Sequence, residues 1–156
     1  MYILGLNPTE TKTSTEGPSV ALGTIAQAQN GKIYKYVQYD TAAGAVAAVA
    51  GNVAYYYAPS GASAGSTTKV TSDLSDSAGL GAGVLQAVIP DEGYGWIQIK
   101  GSATITPALT AGADGNALTA VGATDGTLDV SGLVTDAIVA YAVDASAKII
   151  MCDFPF

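Results

Sequence analysis

The chain has 156 residues, enough for one domain with a buried core, and 49% of them are hydrophobic while only 12% are charged. Thirteen acidic residues face six lysines, for a net charge of −7, and there is no arginine, no histidine and a single cysteine. This excludes zinc-type sites built from His or Cys and serine nucleophiles activated by histidine, and it disfavours nucleic-acid and anionic-membrane partners, which need clustered cations.

The lysines (Lys12, Lys32, Lys35, Lys69, Lys100, Lys148) are scattered and form no basic stripe. Cys152 cannot form an intrachain disulfide, and its apolar run, residues 149–152, predicts a buried, inert thiol. No window approaches the ~18 apolar residues of a membrane-spanning helix. The first residues lack the basic flank and the length of a signal peptide, so the expected product is soluble and made in the cytoplasm.

Residues 1–30 read as an extended arm, followed by a single domain over 31–156. The arm begins apolar, with Tyr2, Ile3, Leu4 and Leu6 as candidate anchors. It is then broken at Asn7-Pro8, and Gly17-Pro18 forbids a helix. Two readings stay open for it: a frayed terminus, or an arm docked on a neighbouring subunit. Residues 20–29 fit either a strand or a short helical turn.

Asn30-Gly31 is a turn signal, and residues 32–40 form an aromatic strand with Tyr34 and Tyr36 on one face and Ile33, Val37 and Tyr39 on the other. The alanine-rich residues 41–50 are expected to be loop plus a short strand. Residues 53–58 form a further strand closed by Pro59, and residues 60–68 are loop by composition. Residues 84–89 and the stretch from Gly93 to Ile105 are predicted to pair as a hairpin over 82–101, turning at residues 90–93. In that second strand Trp96 must point opposite to Ile97 and Ile99, into a second surface. Residues 106–132 hold Asp114-Gly115 and Asp125-Gly126, which favour tight turns between very short strands. Residues 136–143 and 148–153 make a second hairpin. The fold class is therefore mostly β, a small antiparallel β-barrel or sandwich that closes to remove exposed edges, with an extended N-terminal arm.

Candidate chemistry is sparse. Asp114, Asn116, Asp125 and Asp129 offer oxygen ligands for calcium but lack EF-hand spacing, and turn chemistry accounts for them. Asp73 with Asp76, and Asp91 with Glu92, are possible acid pairs for glycoside hydrolysis, yet both sit in turn-like surroundings. No cofactor is expected. Nine tyrosines remain to be explained; tyrosine suits both cores and wet interfaces. Tyr55 and Tyr57 in the run 55–57, and Phe154 and Phe156 at the chain end, are candidate interface residues. The two phenylalanines either fold back on their own barrel or plug a neighbour.

Four segments, residues 79–87, 93–105, 111–118 and 148–154, resemble the tailed-bacteriophage head decoration, or cement, proteins, from about residue 30 to the end. The resemblance is structural in kind and carries no catalytic signature. It implies a non-enzymatic β-barrel virion protein that binds the major capsid protein on the outside of an icosahedral shell, often as a homotrimer, and stabilises the shell after expansion. It also implies that the N-terminal arm makes the shell contact, so that deleting residues 1–18 would weaken binding and leave the barrel folded. The alternative expectation is a β-rich adhesion or fibre module in which Trp96 and exposed tyrosines stack on host glycans. A small carboxylate-dependent hydrolase is the third.

Overall fold

A computed structural model describes residues 5–57 and 66–156. The expected anchors Tyr2, Ile3 and Leu4, and most of the expected loop at residues 60–68, lie outside the described residues. The described residues contain ten β-strands and no helix: β1 (Ile25–Gln27), β2 (Ile33–Tyr39), β3 (Val53–Tyr57), β4 (Lys69–Thr71), β5 (Ser77–Leu85), β6 (Tyr94–Thr104), β7 (Ala117–Thr119), β8 (Asp129–Val130), β9 (Ala140–Asp144) and β10 (Ile149–Asp153).

Five of these close into a barrel in the order β2-β4-β3-β5-β6, with β6 pairing back onto β2. The barrel is mixed. β2 and β4 run parallel (Gln38 opposite Lys69, Tyr39 opposite Val70), and every other pairing is antiparallel. β6 organises the rest, because its eleven residues exceed what the barrel uses. Its first part pairs with β2 and β5, and its last part, from Lys100, pairs with β10, which carries β9, β7 and β8 in turn.

The strand changes partners at a bend. Gly101 has φ +94°, a conformation that side-chain-bearing residues rarely adopt. The carbonyls turned inward at the bend are satisfied by buried Gln98, whose Nε2 donates to Lys100 O, Gly101 O and Ser102 O at 3.2, 3.1 and 2.9 Å.

Alternation along β6 and β2 produces two separate apolar clusters. Ile97, Ile99, Val37 and Tyr39 join the main core with Val53, Tyr55, Val84, Leu118, Ile150 and Phe154. Trp96, Tyr34 and Tyr36 face the other way and form a second cluster with Ala26. The Tyr36 and Trp96 rings pack at 4.9 Å between centroids, tilted by 58°. The described part of the arm covers this cluster. Leu6, Val20 and Leu22 pack on it, Lys12 bridges to Tyr94, and Ser19 N donates to the Tyr36 hydroxyl at 3.2 Å.

Some boundaries differ from the sequence reading. Residues 41–50 contain no strand; turns with Ala42 and Ala45 at φ +58° and +53° replace it. β5 begins at Ser77, earlier than expected, and pairs along β3 from Tyr57 opposite Ser77 to Val53 opposite Val84; near its end Gly83 lets it press on β6, where a Cβ would stand 2.8 Å from Gln98 O. β9 begins only at Ala140; residues 136–139 lead into it as a turn and an extended segment.

Candidate functional site

The acids weighed as catalytic pairs or calcium ligands have structural employment. Four carboxylates capture four consecutive amides: Thr41 N donates to Asp91 at 2.9 Å, Ala42 N to Asp40 at 2.8 Å, Ala43 N to Asp76 at 2.8 Å and Gly44 N to Asp73 at 3.0 Å. These bonds hold the 41–46 turn, with its two left-handed alanines, against the barrel. Asp73 also accepts from Ser75, and that hydroxyl, with the amides of Gly44 and Ser75, keeps its carboxyl below the ordinary value despite burial. Burial would raise Asp40, but the Lys69 ammonium at 2.7 Å and the Ala42 amide outweigh it and lower the pKa.

The remaining acids are used likewise. Asp125 accepts from Leu74 N, Asp114 from Ala145 N, Asp129 from Val130 N, Asp136 from Gly132 N and Leu133 N, and Asp144 from Ser146 and Ala147. Asp153 pairs with Lys100, Glu92 with Lys69 and Gln38, Glu10 with Lys12 and Ser19, and Glu16 with Thr13 and Lys12. All thirteen carboxylates thus have a partner. No group of three or more metal-ligating side chains converges among the described residues. Cys152 is buried, and burial pushes its thiol up to about 12, which leaves it protonated and unreactive at neutral pH.

The aromatic candidates divide. Tyr55 is fully buried, its hydroxyl donating to Thr124 O at 3.1 Å and to Thr127 O, so it anchors the 124–127 turn instead of lining an open surface. Phe154 is also fully buried; it folds back on its own barrel, over Gly81 and beside Val139. Leu6 is half-buried against the second cluster of its own chain. Tyr57 and Phe156 are brought together. With Tyr56, Ser66, Thr67, Ala78, Leu80 and Pro155 they line a largely apolar groove of about 250 Å³. Phe156 is 63% exposed, with the Lys100 ammonium 5.1 Å from its ring centroid. Trp96, the candidate sugar-stacking residue, is only 5% exposed beneath the arm.

A surface that sequence reasoning passed over lies on the C-terminal strands. β9 and β10 alternate strictly, Ala140, Ala142, Ile150 and Cys152 inward and Tyr141, Val143, Met151 and Asp153 outward. Cross-strand register places Ser102, Met151, Tyr141 and Ala117 side by side across β6, β10, β9 and β7. Tyr141, Val143 and Met151 stay 45%, 49% and 44% exposed. Just before β9, the Asp136 carboxylate ties a tight turn that projects Leu133 and Val134 into solvent. The signal is period-two alternation in residues 140–144 and 149–153, which marks strands without saying that the outer face is left bare.

Comparison of the chain with protein-family models, curated proteins and solved structures gives no match.

Proposed function

We propose that this chain is a non-enzymatic virion protein that attaches to the major capsid protein on the exterior of an icosahedral phage shell and stabilises the expanded state, acting as a homotrimer. The reading starts from the resemblance to head decoration proteins. The observation that carries it is the uncharged, exposed row Met151-Tyr141 with Val143 on a rigid four-stranded platform, joined by the projecting Leu133-Val134 turn. Large apolar side chains left in solvent on a well-paired sheet are the expected mark of an interface. The full engagement of the carboxylates in turns and ion pairs supports a role without bond-making chemistry. Each copy's contact can be modest, since occupancy of many lattice positions by a multivalent trimer multiplies it.

Cosedimentation with expanded and unexpanded shells of its phage tests the reading. The wild-type chain pellets with expanded shells, and the double substitution Tyr141→Glu with Met151→Glu stays in the supernatant while remaining folded. A wild-type chain that fails to pellet, or that is instead captured by host glycans, sinks the proposal. Retained binding by the double variant would move the contact away from this ribbon.

A further inference from the structure

Lys35 is the one buried lysine among the described residues. Lys12, Lys69 and Lys100 stand in ion pairs, and Lys148 donates to Thr106 O at 2.8 Å. Lys35 is 3% exposed and has no carboxylate within 4.0 Å among the described residues, and the segments outside them contain no acidic residue. Its one hydrogen bond goes to the Tyr56 hydroxyl at 2.9 Å, with the ammonium 4.9 Å from that ring's centroid. An ammonium buried without a counter-ion is costly, and burial lowers its pKa from the ordinary lysine value.

The Tyr56 hydroxyl spends its lone pair on Lys35. Its own proton points to Pro155 O across 3.4 Å, too long for a strong O–H···O bond. This under-used donor, polarised by the ammonium behind it, belongs to a residue that lines the apolar groove of Tyr57, Leu80 and Phe156. An apolar trough lined by a hydroxyl that has a buried ammonium behind it is complementary to a ligand with a greasy body and a single negative charge. A volume of about 250 Å³ lies just below the usual range of ligand pockets, which limits the ligand to a short tail of roughly eight carbons.

We propose that the groove between Tyr57, Leu80 and Phe156 binds a small monocarboxylate with an apolar tail, its carboxylate accepting from the Tyr56 hydroxyl while Lys35 supplies the countercharge. The site is distinct from the outer ribbon, and its test needs no capsid.

Titration calorimetry of the full chain with octanoate and with octanol, both below their aggregation thresholds, separates charge recognition from tail burial. Octanoate binds saturably at one site, about ten-fold or more tighter than octanol, the size expected for one charge-assisted hydrogen bond. Lys35→Met, which keeps the length of the side chain, and Tyr56→Phe each bring octanoate down to the octanol level. Should Lys35→Met fail to fold, the ¹⁵N shift of the Lys35 ammonium in the wild-type chain serves instead, and it moves on adding octanoate and not octanol. Equal affinity for the two compounds, undiminished octanoate binding by Tyr56→Phe, an unmoved ammonium resonance or the absence of saturable binding overturns the proposal.

Discussion

Two outer faces of the same sheet carry large apolar side chains, and they are treated in opposite ways. On the barrel side Trp96, Tyr34 and Tyr36 are roofed by the chain's own residues 6–28. On the C-terminal side Tyr141, Val143 and Met151 have no roof among the described residues. The first face shows what the chain does when an aromatic surface must be hidden: it lays a stretch of mostly non-repetitive backbone and the short strand β1 over it. The contrast teaches that the second face is left open by the same sequence that closed the first. In its described part the arm is bound to its own barrel at Lys12, Ser19 and Leu22.

The comparison breaks most readily at Trp96. Trp96→Ala removes the centre of the covered cluster and is expected to cost about 3–5 kcal/mol in denaturant unfolding; a loss below about 1 kcal/mol would mean that the arm does not seal that face. Next in size is the arm itself. Removing residues 1–18 is expected to cost roughly 1–3 kcal/mol, because the Tyr94 bridge and the contact of Leu6 are lost and Trp96 is wetted. A truncated chain with unchanged stability and weakened shell binding would return the arm to the role expected from the resemblance.

Asp73→Ala is expected to cost about 1–3 kcal/mol by stranding the amides of Gly44 and Ser75. The same clamp has a pH signature. Asp40 and Asp73 titrate below their unfolded values, so their contribution is complete above the ordinary carboxyl pKa and is lost as pH falls through the lowered folded values. The protection of the Ala42 and Gly44 amides, relative to their intrinsic exchange rates, should therefore fall on acidification before that of the barrel strands. The smallest effect on stability belongs to the bare face: Met151→Ser should stay within about 0.5 kcal/mol and still weaken attachment to shells. A large destabilisation there would show that the ribbon is core and not contact.

Much of the architecture was legible because it is local. The opposition of Trp96 to Ile97 and Ile99, the two-sided character of residues 33–39, and the turns at Asn30-Gly31, Asp114-Gly115 and Asp125-Gly126 all follow from side-chain period and permitted φ. What was not legible depends on distant partners. Nothing in residues 38–39 or 69–70 announces a parallel pairing, since register between remote strands is not a property of either. Glycines at 79, 81 and 83 read as loop punctuation, yet they lie within β5, where Gly81 makes room for Phe154 and Gly83 lets the strand press on β6. Tyr55 and Phe154 illustrate the ambiguity of aromatic residues, which suit a core and an interface equally until packing decides. Asp40, Asp73, Asp76 and Asp91 look unrelated in the sequence, and only the fold gathers them on one turn.

That gathering constrains the order in which the molecule can be made. The turn at residues 41–46 is fastened by groups 29 to 50 positions downstream as well as by its neighbour Asp40. A nascent chain that has emerged only as far as β3 cannot hold Ala42 and Ala45 in left-handed backbone, and the seam between β2 and β6 must wait for residue 94 and beyond. Assembly of this barrel is therefore a late event driven by long-range pairings, which places its folding among the slow, milliseconds-to-seconds class.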